Sequence, residues 1–231
     1  MKRLVNVLAA AVLLLVAVSC GRQEEQKAKY VFYFIGDGMG FTHVAAAEAY
    51  LAQERGVIGM DPLCFTQFPV LGEATTFSAS NIITDSSAAG TALSTGEKTQ
   101  NGMLCILPDS TTQLKSIAYT IHEAGYSVGV MSTTPVNHAT PASFFGHNIK
   151  RGNYYAIGRE IPATGFEFFA GGGLLHPMGK DSCETKSLYE IVAEGGYTIA
   201  NGYADFQTKK DADKILLVQA EGSDQICPYA L

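Results

Sequence analysis

The sequence predicts an α/β domain whose mostly parallel sheet is covered by helices on both faces. Short apolar, β-branched or aromatic runs alternate along the chain with stretches of helical periodicity, the order that builds a parallel sheet rather than a hairpin stack. Glycines, 24 of them in 231 residues, fall at the ends of these runs and punctuate them. The composition is 47% hydrophobic and 16% charged, which suits a globular core and excludes a disordered chain or a coiled coil.

The elements follow in order. Tyr30 to Gly36 (YVFYFIG) is apolar, aromatic and bounded by glycine, the pattern of a buried strand. After the GDGMG turn, Thr42 to Arg55 is rich in Ala, Leu and Glu and reads as a helix with Thr42 near its N-cap. Leu114 to Ala124 carries a helical apolar stripe that stops at Gly125. Ser127 to Met131 is predicted as a strand, Glu167 to Phe169 as another, Leu188 to Glu194 as a helix and Lys214 to Gln219 as a strand. The letters Gly125-Tyr-Ser127-Val-Gly129 match a serine-hydrolase elbow, but that elbow needs strand, serine, then helix, and here a helix precedes the serine and a strand contains it.

The N-terminus stands apart. Lys2 and Arg3 precede an unbroken apolar run from Val7 to Val18, too short to span a bilayer and of signal-peptide length. Val16-Ala-Val-Ser-Cys20 resembles a bacterial lipobox, and an ordinary small-residue cleavage site is the alternative. The resulting division is a leader over 1–19, a lipidated, polar tether over 20–29 and the domain from 30 to 231, in an exported protein held by a lipid on Cys20 in the periplasm or at the outer membrane. Four cysteines remain (Cys64, Cys105, Cys183, Cys227), which export would allow to oxidise, and their spacing favours neither a particular pairing nor a metal knuckle. The net charge of −6 gives no basic surface for nucleic acid.

Two constellations carry chemistry. Asp37, flanked by Gly36 and Gly38, follows the first predicted strand, where open α/β sheets place ligand groups and where a carboxylate can hold a cation; an ordinary Asp-Gly turn is the competing reading. Thr84-Asp85-Ser86-Ser87 followed by AAGTA looks like a helix start. That is either a plain N-cap or a serine oxygen held in the positive potential of the helix N-terminus, suited to phosphate. The small residues behind the serine let such a helix pack closely enough for metals to reach that oxygen. His43 and His122 fall on predicted helices and read as surface or packing residues, and structural roles are favoured for His147 and His176.

GDGMG, TDSSAAGTA with its STGEKTQNG continuation, and Thr134-Pro-Val-Asn-His-Ala-Thr-Pro-Ala142 with His147 and Arg151 beyond it, taken together and in this order, resemble the alkaline phosphatase family. The resemblance implies hydrolysis of small phosphate monoesters through a phosphoserine at Ser86. It implies two zinc ions and one magnesium, with Asp37 shared between a zinc and the magnesium and Thr140 on the magnesium. His138 stands where some members have an acid, which implies magnesium held more weakly, through water. Arg151 would grip the phosphate, held in place by Asp85, and Ser87 would be bypassed because the family motif puts the nucleophile directly after Asp85. The family's remaining metal ligands, a glutamate and further Asp and His groups, have no counterpart here, so the resemblance covers the first half of that fold and the chain reads as a fragment. The competing readings are an inactive membrane-tethered module and a related metal-dependent phosphodiesterase; a homodimer is compatible with all three.

Overall fold

The computed structural model describes residues 28–219, so the leader, Cys20, most of the tether and Cys227 lie outside the described residues. The chain divides into two compact units, one ending at Met39 and one beginning at Gly40. In the first, Tyr30 to Gly36 forms no helix or strand, and Tyr30, Phe32 and Phe34 are exposed. This corrects the expectation of a buried strand. An apolar run becomes a strand only where a partner accepts its ladder, and the run itself does not encode that partner. The GDGMG turn forms as expected, with the Met39 N–H donating to the Gly36 carbonyl at 3.1 Å and Gly38 at a φ of 72°.

The second unit opens with helix α1 (Phe41–Glu54), capped at Gly40 rather than at Thr42. The His43 ring reaches back to accept the Gly40 N–H through Nδ1 at 3.1 Å, a local capping role. Helix α2 (Ser86–Thr95) and helix α3 (Ile117–Glu123) follow. α3 starts three residues later than its apolar stripe, because Leu114 is tied elsewhere: its N–H donates to the Cys105 carbonyl at 2.7 Å.

Four strands, β1 (Gly129–Met131), β2 (Phe168–Gly171), β3 (Thr198–Asn201) and β4 (Ile215–Val218), form one sheet in the order β1-β2-β4-β3. Every pairing is parallel, with Phe169 opposite Val130 and Leu216. β1 begins later than expected: the Val128 carbonyl accepts the Phe168 N–H at 3.3 Å, but the Val128 N–H goes to the Glu167 side chain at 2.7 Å instead of to a strand neighbour. The same carboxylate meets His122 at 3.3 Å, which gives that histidine a packing role. The connections run through short helices α4 (Ala139–Ala142), α5 (Tyr154–Gly158) and α6 (Ile161–Thr164), then α7 (Leu188–Glu194) and α8 (Gly202–Lys209). α7 has the predicted bounds, fixed by a capping box in which Ser187 and Glu190 satisfy each other's backbone N–H groups.

Both faces of the sheet are covered, as the strand pleat requires. Phe168 meets Phe206 of α8 on one face, while Phe169 meets Phe145, Phe166 and Tyr197 on the other. Phe145, Phe166, Phe169 and Leu216 are fully buried at the centre of the core.

Candidate active site

The start of α2 is built around one carboxylate. Asp85 is the N-cap, and its Oδ1 accepts the Ala88 N–H at 3.0 Å, satisfying a donor that the helix leaves open. Its Oδ2 accepts three donors: the Ser87 hydroxyl at 2.7 Å, the Gly102 N–H at 3.0 Å and Arg151 Nη1 at 3.2 Å. Burial alone would raise the Asp85 pKa, but the hydrogen bonds from Ala88, Ser87, Arg151 and Gly102 outweigh it and hold the carboxyl below its usual value. An ionised Asp85 therefore faces a permanently charged guanidinium.

Gly102 also accepts the Arg151 N–H through its carbonyl at 2.7 Å, so this one residue joins the cap carboxylate to the backbone of the arginine. Its φ of 89° is the left-handed conformation that glycine adopts without strain. Asn101 braces the approach to α2: its Oδ1 accepts the Asp85 N–H at 3.3 Å and its Nδ2 donates to the Ile83 carbonyl at 3.0 Å. Ser86 is the first residue of the helix, where the macrodipole is positive.

The run of small residues lets α2 pack closely on α4. A Cβ placed on Gly90 would lie 2.4 Å from Ser143 Oγ and 2.9 Å from Ser143 Cβ, so α2 can approach the end of α4 this closely only through glycine. Ser94 donates to the Ser143 carbonyl at 2.6 Å on the same seam, and the Cys105 thiol reaches it at 2.9 Å. Burial pushes the Cys105 thiol up to about 11.

α4 carries the other two motif residues. His138 is its N-cap and Thr140 lies within it, and the loop leading to them follows the carboxyl end of β1, where α/β sheets place their sites. The His138 ring stacks on Tyr154 at 6.0 Å between centroids, and Tyr154 in turn stacks on His176 at 5.6 Å. Asn137 ties these segments together, donating to the carbonyls of Tyr154 and Leu175 and accepting the Leu175 N–H. His147 is structural: both ring nitrogens meet acceptors, Nδ1 at Glu160 (3.1 Å) and Nε2 at the Leu114 carbonyl (3.0 Å).

The structure thus joins Asp85, directly before Ser86, with Arg151, and couples α2 to the helix holding Thr140; Asp37 lies in the turn of the first unit. Sequence reasoning treated Ser87 only as a rival nucleophile and missed the roles of Asn101 and Gly102, although the NG pair within STGEKTQNG is a turn signal. Tyr154 carried no signal at all. No disulfide forms among Cys64, Cys105 and Cys183.

A family model described as alkaline phosphatase matches residues 28–171. Alkaline phosphatase 3 of Bacillus subtilis is 30% identical over 210 residues, covering 87% of this chain and 43% of its own length. Among solved structures, the alkaline phosphatase of Thermus thermophilus superposes with a TM-score of 0.71 at 32% identity, over 92% of this chain and 45% of that one. A histidine-to-glutamate variant of the TAB5 enzyme with Mg bound in its M3 site gives 0.69 at 29% identity, over 83% and 52%. The chain spans about half the length of these relatives or somewhat less. The family model spans more than half of this chain and the solved relatives share its α/β fold, so the chain belongs to the alkaline phosphatase family.

Proposed function

We propose that these residues supply the phosphoryl-accepting side of a phosphomonoesterase acting on small phosphate monoesters. The Ser86 oxygen attacks phosphorus, an Oγ–P bond forms as the ester P–O bond breaks, and the alcohol leaves with a proton. Water then cleaves the phosphoserine and releases inorganic phosphate. The observation that carries this reading is the convergence of Ser87, Gly102 and Arg151 on Asp85, directly before a serine at a helix N-terminus. Arg151 binds two phosphate oxygens with its planar fork, and Asp85 orients that fork.

Two zinc ions and one magnesium, which the family resemblance implies, would meet Asp37 as the shared carboxylate and Thr140 and His138 on the magnesium side. When bound, such ions lower the pKa of a coordinated oxygen and stabilise a leaving oxygen. Among the described residues no group of three or more His, Cys, Asp or Glu side chains gathers as a metal site, while a catalytic zinc needs about three protein ligands. These residues alone do not fit the full set.

We place the protein outside the cytoplasm, with residues 1–19 removed and Cys20 lipidated ahead of the 20–29 tether; loss of a fatty-acid label in Cys20→Ser tests this. For the reaction, Ser86→Ala in an active form carrying these residues should abolish most turnover of a chromogenic aryl phosphate while metal content survives. Near-wild-type turnover removes Ser86 from the mechanism.

A further inference from the structure

We propose that Ser87 is a positioning residue for phosphate binding, its buried hydroxyl fixing Asp85 so that the carboxylate holds Arg151 through one nitrogen and leaves the rest of the fork for phosphate. The inference rests on the reading of Arg151 as the phosphate grip.

Each carboxylate oxygen offers about two acceptor positions; Oδ1 of Asp85 takes Ala88, while Oδ2 carries three donors, Ser87, Gly102 and Arg151, which compete for it. Arg–carboxylate pairs commonly form two parallel bonds, which would commit a whole edge of the guanidinium to the protein. Here the described contact is single, Nη1 to Oδ2 at 3.2 Å, and the Ser87 hydroxyl on the same oxygen is shorter, at 2.7 Å. Ser87 takes up acceptor capacity that the arginine would otherwise use.

Ser87 is fully buried, so no water stands in readily for a deleted hydroxyl. Deletion has two consequences of the same sign. Asp85 loses a contact that fixes its rotamer, and Oδ2, relieved of one of its three competing donors, can draw the guanidinium closer than 3.2 Å. Looser orientation and a tighter Asp85–Arg151 clamp both weaken phosphate binding, whereas loss of packing would act on stability and not through Arg151.

The test is a thermodynamic cycle on the 231-residue chain prepared without its leader: wild type, Ser87→Ala, Arg151→Ala and the double variant, each titrated with inorganic phosphate by calorimetry. Circular dichroism on each variant checks the fold. Phosphate affinity in Ser87→Ala should fall roughly three- to tenfold, a fraction of one hydrogen bond to a charged group. In the Arg151→Ala background the same substitution should change nothing further. Wild-type affinity in Ser87→Ala overturns the proposal and leaves the phosphate site standing, and equal losses in both backgrounds overturn it in favour of a structural role. A wild-type chain that binds no phosphate overturns it together with the reading of Arg151.

Discussion

Replacing Gly90 by alanine sets two effects against each other. Glycine within a helix costs about 1 kcal/mol relative to alanine, so on propensity alone Gly90→Ala in the middle of α2 stabilises the protein by about that much. Against it stands the seam with α4, where the new Cβ would lie 2.4 Å from Ser143 Oγ and 2.9 Å from Ser143 Cβ, both inside any tolerable contact. Rotating Ser143 away is not free, because its hydroxyl donates to the Thr140 carbonyl at 2.7 Å, and the Ser143 backbone is itself buried. Overpacking of this kind costs about 1–3 kcal/mol, and here it reaches two atoms of one side chain, so the upper part of that range applies and the net effect should be a loss of about 1–2 kcal/mol. Urea unfolding of wild type, Gly90→Ala and Gly90→Ala/Ser143→Ala reads it out. The double variant removes the 2.4 Å contact and keeps the 2.9 Å one, so it should recover part of the loss. Stability at or above wild type in the single variant would refute close packing of α2 on α4.

Three further outcomes follow from the geometry. The hydrogen bond to Glu160 raises the His147 pKa; burial opposes it, and the Glu160 charge and the Leu114 carbonyl add to the rise. A raised folded-state value gives stability that is complete below the unfolded value of about 6.5 and is lost as pH rises through the folded value. Wild type should therefore lose stability to urea above about pH 6.5, and His147→Gln should lose less over the same window. In the folded chain a thiol reagent should label Cys64 and Cys183, which are exposed, while Cys105, 1% exposed and with its thiol pushed up to about 11, should react only on unfolding. Arg151→Lys keeps the charge but loses the fork, and inhibition by inorganic phosphate should weaken by about 1–3 kcal/mol; unchanged inhibition would place the anion site elsewhere.

The parallel α/β architecture was legible because alternating periodicities are local signals, and α7 was legible to the residue because Ser187 and Glu190 cap it from within the sequence. Tyr30 to Gly36 was misjudged because an apolar run does not encode its partner. The late starts of α3 and β1 depend on pairings outside the elements themselves, Leu114 with Cys105 and Val128 with Glu167. In the site, Asp85, Ser86 and Arg151 could be found from motif letters. The roles of Ser87 and Gly102 depend on which oxygen of Asp85 they reach, and nothing in their spacing states that. The Gly90 contact was half legible: small residues announced a close approach, but not that Ser143 stands opposite.

The central claim is that Ser86 accepts the phosphoryl group beside the Asp85–Arg151 pair. Its most direct test is acid quenching of a preparation that carries these residues and turns over an aryl phosphate, followed by peptide mass spectrometry to locate the trapped phosphate. Phosphate on Ser86, lost in Ser86→Ala and reduced in Arg151→Ala, is the predicted result. Phosphate on Ser87 or elsewhere, or full turnover by Ser86→Ala, would contradict it.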